Sequence, residues 1–76
     1  PHLSALSPWC VDQLLTDAAV SWREEAAGSL PVDKVYHFSH SDGDESWLLV
    51  GNERILCVDS SWTLTQEDLA VLYENA

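Results

Sequence analysis

The chain has 76 residues, with thirteen Asp and Glu against three Lys and Arg, a formal net charge of -10 and an isoelectric point near 4.2. A hydrophobic content of 46% with four tryptophans excludes a disordered chain, and the length bounds one small domain near the limit at which a single core is stabilising. The charge speaks against nucleic acids and anionic membranes, which are bound through clustered Lys and Arg, and in favour of a basic protein surface as partner.

The sequence opens at Pro1 without a basic-then-apolar leader, so residues 1–76 are expected to be a single acidic α+β domain excised from, or processed out of, a longer chain. No apolar run approaches the ~20 residues of a membrane span. Cys10 and Cys57 are too few for a disulfide framework and sit in apolar segments, where free Cys acts as a small hydrophobe. A reducing, intracellular compartment is therefore expected, with a Cys10–Cys57 bridge left open.

Residues 1–6 read as a lead-in. Ser7 then stands where a helix N-cap is wanted and Pro8 at the first helical position, with Leu6 and Val11 spaced for a hydrophobic staple. Val11, Leu14, Leu15, Ala18 and Trp22 continue at helical spacing, which predicts a helix over 8–27 that stops at Gly28. Residues 34–41 alternate, with Tyr36, Phe38 and His40 on one side and Val35, His37 and Ser39 on the other, the period of a strand. Ser46 to Val50 and Ile55 to Val58 follow as two more strands, each preceded by a turn. Thr65 with Asp68 resembles a capping box, Leu64 and Leu69 occupy the staple positions, and Leu69, Leu72 and Tyr73 form the apolar stripe of a last helix.

The expected fold is thus α+β in αβββα order: a three-stranded antiparallel meander with two helices on one face. Pairing Ser41 with Ser46 and Val50 with Ile55 puts Tyr36, Phe38, His40, Trp47, Leu49, Leu56 and Val58 on the face under the helices. Trp22 and Trp47 then belong to the core, while Trp9 and Trp62 lie outside it. The opposite face carries Leu48, Val50, Ile55 and Cys57, too apolar for water. These four residues are the expected partner-binding patch, with His37 at its polar margin and Asp42, Asp44, Glu45 and Glu53 as an acidic rim.

Chemistry-bearing motifs are weak. His37 and His40, three apart on a strand, fall on opposite faces, a poor geometry for sharing a metal. Asp42-Gly43-Asp44-Glu45 lacks the later ligands of a calcium loop. Cys57 lies mid-strand without a group that lowers its pKa. Neither a metal nor a cofactor is implied, and no enzyme activity is expected. Trp47 with Val50, behind Asp42, Asp44 and Glu45, resembles the aromatic-x-x-aliphatic motif of autophagy receptors, which implies strand addition to a partner's sheet. Ser41 ahead of the same acids resembles an acidophilic-kinase site. The αβββα order is shared with double-stranded-RNA-binding domains, yet Gln66, Glu67 and Asp68 stand where their basic grip would be.

The expected function is a non-catalytic protein–protein interaction domain that binds a basic surface or pairs with itself as a homodimer through the open face. The alternative is a small acidic chaperone-like or inhibitory protein, in the extreme a nucleic-acid mimic, that occupies a basic site on its target. Neither a nucleic acid nor a membrane is an expected partner.

Overall fold

The computed structural model describes residues 1–17 and 19–76. Seven elements follow in chain order: β1 (His2–Leu6), α1 (Pro8–Leu15), β2 (Ser21–Glu25), β3 (Lys34–Ser39), β4 (Glu45–Val50), β5 (Ile55–Ser60) and α2 (Gln66–Asn75). The strands form one five-stranded sheet in the order β1-β5-β4-β3-β2, every neighbouring pair antiparallel. The class is α+β, as expected, but the sheet has five strands rather than three and the element order is not αβββα.

The two extra strands come from segments read otherwise. Residues 1–6 form β1 beside β5, with Leu3 opposite Val58 and Ala5 opposite Leu56. The expected helix over 8–27 ends at Leu15. Thr16 closes it by donating from its hydroxyl to the Asp12 carbonyl at 2.8 Å, and the Asp17 carboxylate accepts from the Ala19 amide at 2.9 Å in an Asx turn. The expected place of Ala18 on the helical stripe lies outside the described residues. Trp22 to Glu25 then pair with β3, where strand partners outweigh the helix preference of Arg and Glu. Gly28 is left-handed at φ 58, as a C-terminal glycine would be, but it sits in the β2–β3 connection.

The β3–β4 hairpin corrects the register. Ser39 faces Glu45, the His40 amide donates to the Asp44 carbonyl at 3.0 Å, and the Gly43 amide donates to the His40 carbonyl at 3.1 Å. This is a three-residue loop with Gly43 left-handed at φ 93. Against the expected Ser41–Ser46 pairing it is an odd-numbered slip, which carries every β3 side chain to the other face. Val35 and His37 therefore share a face with Trp47, Leu49, Leu56 and Val58, while Tyr36 and Phe38 lie with Leu48, Val50, Ile55 and Cys57. The Val50–Ile55 pairing is as expected.

Each face has its own helix. Leu64, Leu69 and Tyr73 pack with Val35, Trp47, Leu49, Leu56 and Val58. On the other side Leu6, Val11, Leu14 and Leu15 pack with Tyr36, Phe38 and Leu48. The expectation of two helices on one face and an open apolar face is overturned: Leu48 is fully buried and Val50, Ile55 and Cys57 are half-buried. The helix ends follow the sequence more closely. In α2 the Thr65 hydroxyl accepts from the Asp68 amide at 3.1 Å and the Asp68 carboxylate from the Thr65 amide at 3.0 Å. Pro8 opens α1 as expected, but the Ser7 side chain caps nothing and donates to the Cys10 sulfur at 3.3 Å.

The tryptophans divide accordingly. Trp47 is 1% exposed at the sheet centre, whereas Trp22, expected inside, is 43% exposed on edge strand β2. Its indole N–H donates to the Leu15 carbonyl at 2.9 Å and its ring meets Tyr36 edge-on, with centroids 5.5 Å apart. Trp47→Ala is expected to cost ~3–5 kcal/mol. Trp22→Ala should cost about 1–2 kcal/mol, and Trp9→Ala or Trp62→Ala about 0.5 kcal/mol or less. Urea midpoints at constant m-value measure this, and equal losses at all four positions would contradict the packing.

Candidate functional site

The sequence-expected patch is not a surface. Leu48 lies beneath α1 and Val50, Ile55 and Cys57 contact the same cluster. His37 is buried on the opposite face, stacked on Trp47 at 4.6 Å and 9°. The expected acidic rim also divides. Asp42 and Asp44 are exposed in the loop before β4 and Glu53 in the loop after it, about 17 Å apart along a six-residue strand. Glu45 points inward among polar partners.

Those partners form the first polar cluster. The His37 Nδ1 lies 3.1 Å from Glu25 Oε1 and its Nε2 lies 2.6 Å from Glu45 Oε1, while Arg23 Nε donates to Glu25 at 3.0 Å. Only an imidazolium donates at both nitrogens; in the neutral ring Nδ1 accepts instead from Arg23 Nη2, 3.3 Å away. Thr63 donates its hydroxyl to the other oxygen of Glu45. That bond first, then His37, outweighs desolvation and holds the Glu45 carboxyl below its ordinary value of 4.5.

The second cluster faces α1. Ser46 donates to Asp59 Oδ1 at 2.5 Å, so the contact from His40 Nε2 to Ser46 Oγ at 2.8 Å has the imidazole as donor. A nucleophilic serine needs the reverse, a histidine that accepts its proton, and this arrangement does not supply it. Cys57 Sγ stands 3.8 Å from the same carboxylate oxygen. Burial first, then the Asp59 charge, pushes the thiol up to about 12, which favours the protonated form. His40, Ser46 and Asp59 close the polar end of a cavity of about 250 Å³ whose other walls include Leu6, Leu14 and Phe38. Among the described residues no group of three or more His, Cys, Asp or Glu is placed to hold a metal ion, and both cysteines are free.

Trp9 is exposed by itself on α1, and a paired exposed apolar feature lies where the β5–α2 connection passes the end of β1. The Trp62 amide donates to Ser60 Oγ at 3.1 Å, the Thr63 hydroxyl is tied to Glu45, and Leu64 is buried as the staple. With its neighbours pinned inward, the Trp62 indole is turned out at 54% exposure. Val71, on the outer side of α2, is 58% exposed. Together with Pro1, Leu64, Asp68 and Leu72 they line a groove of about 290 Å³. Sequence reasoning placed Trp62 outside the core but missed the groove. Val71 follows the buried stripe residue Leu69 and the half-buried Ala70 as one more apolar side chain, and its isolation on the polar side of the helix was the available signal.

No Lys or Arg side chain lines this groove. Arg23 is held by Glu25. Arg54 lies 4.2 Å over the Tyr73 ring and donates to the Tyr73 and Ala76 carbonyls, which completes the carboxy end of α2. Gly51 makes room there, since a Cβ at that position would strike the Tyr73 hydroxyl. The chain matches no protein-family model, no curated protein and no solved structure. Among the described residues no helix is long and apolar enough to cross a membrane.

Two outcomes follow from the clusters. Because the folded-state value of Glu45 is depressed, its contribution is present above about pH 4.5 and is lost as the pH falls through the lowered value. Thr63→Val should therefore be less stable than the parent at neutral pH, with the gap narrowing below that point in urea titrations. A gap that stays constant with pH would contradict the assignment. For the thiols, a chromogenic disulfide reagent at mildly alkaline pH should find one accessible cysteine, Cys10, with Cys57 reacting only on unfolding. Equal rates at both would show that the Cys57 site is open.

Proposed function

We propose that this chain is a non-catalytic, acidic protein-binding domain that engages a basic partner protein. The observation that carries the reading is Trp62, held outward beside Val71 in an apolar groove whose charged side chain is that of Asp68. Exposed Trp in a depression is the kind of anchor on which interfaces concentrate their energy, and an apolar centre with a charged margin is the usual anatomy of a recognition patch.

Charge supports the choice of partner. Two of the three basic residues are engaged within the molecule, Arg23 with Glu25 and Arg54 at the end of α2. The field around the remaining carboxylates attracts a basic surface and speeds its encounter, and it repels phosphate backbones. In the cluster that faces α1, Ser46 gives its proton to Asp59 and Cys57 is held as the thiol, which supports a non-catalytic reading of that cluster.

The test is titration of the tryptophan fluorescence with basic, neutral and acidic peptides of equal length. A saturable response to basic peptides, weakened by salt and reduced in Trp62→Ala, is expected. The same response to neutral and acidic peptides, or none to any peptide, overturns the reading. Duplex and single-stranded nucleic acids should not bind at moderate ionic strength, and micromolar, salt-sensitive binding to either would contradict the charge argument.

A further inference from the structure

The two edges of the sheet differ in chemistry. β2 carries Arg23, Glu24 and Glu25 within Ser21–Glu25, and charges on an edge strand discourage another chain from pairing with it. β1 reads His-Leu-Ser-Ala-Leu, without a single Lys, Arg, Asp, Glu or Pro from His2 to Leu6. It pairs with β5 on one side and no strand follows on the other, so its outer backbone N–H and C=O groups form a template for one more strand.

The apolar groove adjoins that edge. Leu3 and Ala5 lie on the face of the sheet that α2 covers, across from Val58 and Leu56. A strand laid along β1 would continue the sheet and send every second side chain to that face, beside the groove that Pro1 and α2 enclose. Beside it stand Asp68 in the groove and Glu67 next to it in the first turn of α2. No Lys or Arg lies on β1, β5 or α2.

We propose that β1 is a docking edge that takes an extended segment of a basic partner as a sixth strand. An apolar side chain of that segment would enter the Trp62–Val71 groove, with Lys or Arg flanking it. This rests on the protein-binding reading above and adds its mode: main-chain hydrogen bonds supply affinity, and the groove with its acids supplies selectivity. A second copy of this chain is the poorer occupant, because it would bring two bodies of charge -10 together with their acidic margins adjoining.

The experiment uses an eight-residue peptide of alternating lysine and valine and its fully N-methylated counterpart, which keeps the charge and side chains but has no backbone donors. Affinity is read by tryptophan fluorescence, and the β1 amides are followed by hydrogen exchange. The expected result is binding by the first peptide, at least about tenfold weaker binding by the second, and slower exchange in β1 on saturation. Val71→Gln, on the outer surface of α2, should weaken the first peptide without unfolding the domain.

Equal affinity of the two peptides with unchanged β1 exchange overturns strand addition while leaving basic-partner binding standing. No response to either peptide removes both. A concentration-dependent dimer in sedimentation without peptide, lost in a Ser4→Pro variant that keeps its circular dichroism, places a second copy on the edge and overturns the partner strand.

Discussion

The structure depends on β4 being apolar on both of its faces. Trp47 and Leu49 point to one side, Leu48 and Val50 to the other, and the strand lies in the middle of the sheet. Such a strand needs cover on both sides, and the described residues include two short helices to supply it. One helix must therefore go to each face. That division sets the rest of the architecture, since α1 has to leave β1 on one side of the sheet and α2 to return from β5 on the other. It also leaves Trp47 nearly without water contact, with His37 stacked against it.

The same property was legible in the sequence, and there it pointed the wrong way. Consecutive apolar residues in β4 and β5 mark a second greasy face, but nothing local says whether the chain's own helix or another molecule covers it. The deciding fact was the length of α1. Helical spacing through Trp22 favoured one long helix, and only pairing with β3 makes a strand of residues rich in Arg and Glu. β1 was hidden for a related reason, because five residues without charges or β-branched side chains acquire strand character only from β5 beside them.

What was readable is what local chemistry fixes. The Thr65–Asp68 box and the Leu64–Leu69 staple place the start of α2 to the residue, and both close within one helical turn. The Val50–Ile55 pairing was likewise set by its short connection. The β3–β4 register failed by an odd number because His40 and Ser41 extend the aromatic alternation past the true end of the strand, while Gly43 draws the turn tighter. A candidate site assembled across that hairpin inherited the error, which is why His37 left the margin of a surface and became a buried partner of Glu25 and Glu45. The Trp62 groove was legible only in part: Val71 was a local signal, but the walls come from both ends of the chain and only the fold brings them together.

An uncharged edge strand beside exposed Trp62 and Val71 is ordinarily an invitation to self-association. Natural sheets answer with charges placed on the strand, as β2 does with Arg23, Glu24 and Glu25. For β1 the defence is held at a distance, in the carboxylates of α2 and in the net charge of the whole domain. A charge on the strand would repel every partner alike by spoiling the edge itself. Charge held around it discriminates, because it opposes a second acidic copy and attracts a basic chain while the backbone template stays intact. Under the proposed function, the acidity that makes the sequence unusual is therefore the reason an open edge is compatible with a monomer.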